Sequence, residues 1–314
     1  MIAALALLAA AGAAEPAGAA EAPDAAGWRL VWSDEFDGPA IDRDKWDFDV
    51  DCWGGGNRER QCYTDRRRNA AIEDGRLVIT ARKERWTGPA FPLSQRSDPA
   101  KASARATGAF TSARLVTRGK AAWTYGKVEV RAKLPQGQGT WPAIWMLPED
   151  ARYGPWAASG EIDILEAVNL GVRCESCAGE VENRILGTLH FGGVWPDNRH
   201  RSNETALPAP LDGWHVFGIV WRKGRIDWTV DGRVYATQAA GDWTTAGSSD
   251  PAAPFDRPFH LILNLAVGGG LAESRGIGGV DARAYPKRME VDWVRVWQCG
   301  EEDASTATCN GAGN

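Results

Sequence analysis

Between Trp28 and Gln298 apolar and polar residues alternate with a period of two in short runs, and long 3.6-residue periods are scarce. Lys127–Leu134 alternates over its whole length, and so does Arg225–Val230, which ends at Asp231-Gly232. Arg76–Ala81 follows Asp74-Gly75, a second pair of the kind that closes two-residue hairpins. His215–Trp221, Phe259–Val267 and Glu290–Gln298 complete the clearest strand candidates. Many short strands separated by Gly and Pro predict an all-β sandwich or barrel. No repeat and no Ser/Pro-rich linker divides the region, so a single domain over residues 27–298 is expected.

The ends read differently. Residues 1–26 are dominated by Ala and Leu, and Ile2–Ala11 has the apolar character of a secretory signal, although no Lys or Arg precedes it. A secreted or periplasmic protein is expected. Residues 299–314 form a short, polar, small-residue tail. The six cysteines fall into local pairs, Cys52/Cys62, Cys174/Cys177 and Cys299/Cys309, and an even count in an exported chain favours disulfides. The pairing itself is not decided by spacing. A zinc site at Cys174–Cys177 would lack a second ligand pair nearby.

The net charge of −5 speaks against a nucleic-acid footprint and against a polybasic membrane anchor, and no apolar run after the leader is long enough to cross a bilayer. A monomer is expected. The aromatic composition narrows the field: 16 Trp stand against 8 Phe and 5 Tyr, so indole is used for something that phenyl rings do not supply.

The chemistry concentrates in Ser159-Gly-Glu161-Ile-Asp163-Ile-Leu-Glu166-Ala-Val-Asn169. Glu161 and Asp163 share a strand face, whereas a regular strand would turn Glu166 to the other one. One extra residue at Ile164-Leu165, a β-bulge, would bring it back. Like charges gathered in one cleft raise at least one carboxyl pKa. A protonated acid beside an ionised carboxylate is what glycosidic cleavage needs. Taken alone, the same pattern also fits a solvated strand face. By the same periodicity His190 shares a face with Thr188 and Gly192.

The flanking sequence makes the pattern specific. Trp32-Ser-Asp-Glu-Phe36, Tyr125–Arg131, Trp141-Pro-Ala-Ile-Trp145-Met-Leu-Pro148, the acid motif, Gly187-Thr-Leu-His190-Phe-Gly192, Trp228–Gly232, Asn264–Gly269 and Val291–Val296 occur in one order along the chain. Together they resemble glycoside hydrolase family 16, in its bacterial laminarinase (endo-β-1,3-glucanase) branch. The resemblance implies a jelly-roll β-sandwich of two antiparallel sheets with a concave substrate cleft. It implies Glu161 as nucleophile, Glu166 as acid/base, Asp163 as partner of the nucleophile and His190 as an assisting group. Trp141 and Trp145 would be sugar platforms, with Trp156, Asn57 and Arg118 as further substrate contacts. Asn57 opens a segment resembling the family's Asn-x-Glu-x-Gln-x-Tyr loop, where Cys62 takes a position that is often aromatic. No catalytic cofactor is implied. A structural calcium on the far side would fall to Glu35, Gly75 and Asp292. Relatives that cut mixed-linkage glucan, agar or carrageenan, transglycosylases, and β-glucan-binding modules without the acids share the same fold. The five-residue spacing of the outer acids favours the laminarinase branch over strict lichenases.

Overall fold

The computed structural model describes residues 27–299. The leader and Cys309 lie outside the described residues. Along the chain come β1 (Trp28–Asp34), β2 (Asp47–Phe48), β3 (Gln61–Tyr63), β4 (Ala70–Glu73), β5 (Arg76–Pro89) and β6 (Arg105–Ser112). Then follow β7 (Arg114–Val116), β8 (Gly126–Lys133), β9 (Thr140–Pro148), β10 (Glu161–Ala167), β11 (Arg184–Gly192) and β12 (Asn198–Ala206). The last five are β13 (His215–Arg222), β14 (Arg225–Val230), β15 (Arg233–Ala239), β16 (Phe259–Val267) and β17 (Lys287–Cys299). A five-residue helix, α1 (Gly270–Ser274), follows β16.

Two sheets result. One has seven strands in the order β12-β11-β10-β9-β16-β7-β2; the other has ten, with β15-β14-β13-β8-β17-β5-β6-β3 as its path and β1 and β4 attached to β17 and β5. Pairing is antiparallel throughout except at the β3/β6 edge, which is parallel. Those two strands are separated in sequence by β4 and β5, the long connection that a parallel pair requires. This is the jelly-roll sandwich expected from the sequence.

The alternating pattern does what its period demands. In β8 Val128, Val130 and Ala132 are buried while Glu129, Arg131 and Lys133 are half-exposed. Asp74-Gly75 and Asp231-Gly232 close two-residue hairpins with positive φ at both positions, the backbone that matches strand twist. Between the sheets, Val130, Phe217, Trp221 and Trp228 of the larger sheet meet Ile144, Met146, Ile162, Leu189 and Leu263 of the smaller one. Each such side chain contributes about 1.5–3 kcal/mol by burial. β16 is buried along all nine residues: Leu261, Leu263 and Leu265 enter this core, and Ile262, Asn264 and Ala266 lie on the other face, under the site.

Among the described residues two disulfides join both of their cysteines, Cys52–Cys62 and Cys174–Cys177.

Candidate active site

The acids stand on β10, the third strand of the seven-stranded sheet. Asp163 lies opposite Thr188 of β11, and Glu166 opposite Leu186, so three steps on β10 match two on its neighbour. The same irregularity shows against β9, where Asp163 faces Trp145 and Leu165 faces Ile144. This is the bulge expected at Ile164-Leu165. Ile162, Ile164 and Leu165 go into the core, and Glu161, Asp163 and Glu166 emerge on the opposite face.

A bulge leaves part of the ladder unpaired, and the core supplies what is missing. Trp228, from β14 of the other sheet, donates its indole N–H to the Asp163 carbonyl at 2.8 Å. Gly187 on β11 makes this reach possible: a Cβ there would sit 2.3 Å from Trp228 Cδ1.

Each outer carboxylate has an indole donor. Trp156 Nε1 donates to Glu161 Oε2 at 2.9 Å, and Trp141 Nε1 donates to Glu166 Oε1 at 3.0 Å. His190, directly across from Glu161, places Nε2 3.3 Å from Asp163 Oδ2 and 3.5 Å from Glu161 Oε1. Burial, then the negative charge of Asp163, raises the Glu161 carboxyl to about 7; His190 and the Trp156 N–H pull the other way. The same two causes, with Glu161 added, raise Glu166 to about 8. Burial opposes charge on His190, but its bond to Asp163 and the fields of the three acids outweigh that and raise it to about 9. The cluster therefore holds an imidazolium among acids that do not all ionise together.

On the β9/β16 side a polar chain leads away from the acids. Trp145 Nε1 donates to Asn264 Oδ1 (2.6 Å), and Asn264 Nδ2 donates to the Tyr63 hydroxyl (3.0 Å). Glu59 accepts from the Tyr63 hydroxyl (3.4 Å), from Gln61 (2.6 Å) and from Asn57 (3.2 Å). The Arg114 guanidinium lies 4.5 Å above the Trp145 ring, and its charge helps to lower Glu161.

The positions singled out in the sequence thus divide. Glu161, Asp163, Glu166, His190, Trp141 and Trp156 come together. Trp141 differs from its expected role as a platform: it is buried among Val168, Ala266 and Ala272, so what it offers is an N–H to Glu166 rather than an open ring face. One face of Trp145 is taken by Arg114. Asn57 lies at the rim, beyond Glu59. Arg118 is not with the acids: it pairs with Asp49 at 2.6 Å, and Arg114, four residues earlier and on the strand itself, is the arginine that reaches the site. Arg114, Glu59 and Asn264 were not singled out; the latter two lie inside motifs quoted above, whereas Arg114 carries no pattern of its own.

Metal-type clusters are limited among the described residues. Glu161, Asp163 and His190 present donor atoms within 4.8 Å of one another, as do Cys174, Cys177 and Glu182. The second set offers no thiolate, because its cysteines are bonded to each other, and Arg184 holds Glu182. On the ten-stranded sheet, β1 and β5 flank different ends of β17, so Glu35, Gly75 and Asp292 fall near one stretch. Their carboxylates, however, are taken up by arginines, Glu35 by Arg295 and Asp292 by Arg131.

The model of glycosyl hydrolases family 16 matches residues 57–295. The chain belongs to glycosyl hydrolases family 16. Among curated family relatives, it is 41% identical over 286 residues to a beta-glucanase of Rhodothermus marinus, covering 86% of this chain and 85% of that one. It is 38% identical to glucan endo-1,3-beta-glucosidase A1 of Niallia circulans over 88% of this chain, but spans only 39% of that longer protein. The solved laminarinase of Rhodothermus marinus superimposes with a TM-score of 0.69 at 40% identity, covering 87% of this chain and 98% of that one.

Proposed function

We propose that this family 16 protein is an endo-β-1,3-glucanase that hydrolyses laminarin-type polysaccharide with retention of anomeric configuration. The observation that carries this reading is the bulged β10, which sets Glu161, Asp163 and Glu166 on one face with His190 directly across from Glu161.

In the first step the Glu161 carboxylate attacks the anomeric carbon. The C–O bond to the enzyme forms as the glycosidic C–O bond breaks, and Glu166 delivers its proton to the leaving oxygen. In the second, Glu166 takes a proton from water, whose oxygen attacks the same carbon and releases Glu161. Asp163 and the His190 imidazolium accompany Glu161 through its change of charge, and the Trp156 N–H favours its ionised form. Trp145, Trp156 and Asn57 would contact the sugar chain.

The test is a product profile on laminarin, lichenan, agarose and κ-carrageenan, with Glu161→Gln as control. Laminarin cleavage with the β-anomer formed first, abolished in the variant, is expected. Cleavage of the galactans alone would overturn the substrate class, and inverted product would overturn the nucleophile. Mixed-linkage cleavage alongside laminarin would broaden the specificity, and oligosaccharides longer than the substrate would reveal transglycosylation. A β-glucan-binding module would bind and cleave nothing.

Residues 27–298 form the catalytic domain in this reading, and the two disulfides suit an oxidising, extracytoplasmic compartment. The oxygens of Glu35, Gly75 and Asp292 would suit a structural calcium, which would have to displace Arg295 and Arg131. A melting temperature that falls on chelation and returns with calcium supports the ion; an unchanged one removes it.

A further inference from the structure

A polymer lying across the strands above Glu161 and Glu166 continues on both sides of β10. On the β9/β16 side it meets the polar chain from Trp145 to Asn57. On the β11/β12 side it meets rings. Trp156 packs against His190 with centroids 5.7 Å apart, and His190 against His200 at 5.6 Å. His190 and His200 are direct partners across β11 and β12, so this row runs from the Glu161 donor to the outermost strand. One same-face pair further along, Gly192 opposite Asn198, the two strands turn. The turn presents Trp195 at 73% exposure beside Val194 at 46%. Trp195 has no ring partner among the described residues.

The turn is held from below. Gly192 N–H donates to Thr244 O, Ala246 N–H to Gly192 O, and Asp197 N–H to Val194 O, all at 2.8–2.9 Å. An exposed indole on an anchored turn loses little freedom when a ligand covers it. Its occupant must be amphipathic, because the turn exposes apolar Val194 and Trp195 while the edge that follows exposes polar Arg199 and His200. Strands are spaced about 4.8 Å apart, close to the length of one sugar unit, so β12 lies roughly two units out from Glu161.

We propose that Trp195 and His200 form a sugar-binding shelf that extends the cleft past β11 and receives the outlying glucosyl units of the polymer. The pyranose faces would rest on the rings, with hydroxyls turned to the edge of β12. This rests on the glucanase reading above and adds to it a determinant of chain-length preference.

The experiment compares the wild type with Trp195→Ala, His200→Ala and the double variant on β-1,3-gluco-oligosaccharides from laminaritriose to laminariheptaose. The double variant is expected to lose roughly tenfold in kcat/KM on the heptaose and less than about twofold on the shortest oligosaccharide cleaved. Trp195→Phe should keep most of the long-chain activity. Equal losses at every length, or none at any length, would overturn the shelf. If the wild type cleaves no β-1,3-glucan but does cleave another polymer, the glucanase reading fails. The shelf then stands or falls on the same length series made from that polymer.

Discussion

Replacing Trp156 with Phe removes the N–H that lies 2.9 Å from Glu161 Oε2 and leaves a ring in its place. A hydrogen bond to a charged group contributes about 1.5–3 kcal/mol, and part of that will be recovered by water because Trp156 is 42% exposed. A net loss of about 1.4 kcal/mol corresponds to about one pKa unit. The bond favours the ionised carboxylate, so its loss raises Glu161 further above about 7. In the proposed mechanism the productive form needs Glu161 ionised and Glu166 protonated. The acid limb of the kcat/KM profile should therefore move up by about one unit, while the basic limb stays in place. Activity falls roughly tenfold on the acid side and only about twofold at the optimum, because the bell narrows from one side. The assay is kcat/KM on a soluble β-1,3-gluco-oligosaccharide across pH. Loss of a sugar contact would lower the curve without moving its limbs. An unmoved acid limb, or movement of the basic limb instead, refutes the argument.

Three further outcomes are expected. Trp228→Phe leaves the Asp163 carbonyl buried without its donor, which costs about 1–3 kcal/mol of stability and lowers kcat more than it raises KM; a lower melting temperature with unchanged kcat would mean the bulge keeps its shape unaided. Glu166→Gln removes a carboxyl raised from 4.5 to about 8 in the fold. The stability that carboxyl contributes is fully present below pH 4.5 and is lost as pH rises through about 8. The variant should therefore gain on the wild type across that window in thermal melts, and a constant difference would contradict the raised pKa. Replacing Cys52 and Cys62 together by Ser opens a ten-residue loop, at a cost of about 2–3 kcal/mol in denaturant unfolding, and should raise KM through Asn57 more than it lowers kcat; unchanged unfolding would show that the loop is ordered by its other contacts.

Much of this architecture is visible in the chain because one side of each strand must be apolar. β8, β14 and the start of β5 announce themselves by alternation, and two Asp-Gly pairs mark hairpins whose positive φ values few other residues tolerate. β12 does not, since Asn198–Ala206 is an edge strand with little buried surface and no apolar period to detect. The bulge was legible because three acids on one strand had to be reconciled with the two-residue period. Arg114 was not: a half-buried arginine beside Trp145 looks in sequence like Arg118, and only the register of β7 against β16 tells them apart. The inward burial of Trp141 likewise depends on α1 and β16 closing over it from more than a hundred residues away.

The Trp228 bond gives the buried core a share in the chemistry. Glu166 is placed by a bulge, the bulge receives an indole N–H from the opposite sheet, and the indole needs the empty space at Gly187. The acid-bearing strand therefore cannot be moved intact onto another sandwich by copying its exposed face, because the copy would lack the donor that enters from below. For the same reason, repacking this interior for thermal tolerance is constrained at Trp228 and Gly187. An apolar replacement of equal volume at Trp228 would fill the core and leave the Asp163 carbonyl without its donor.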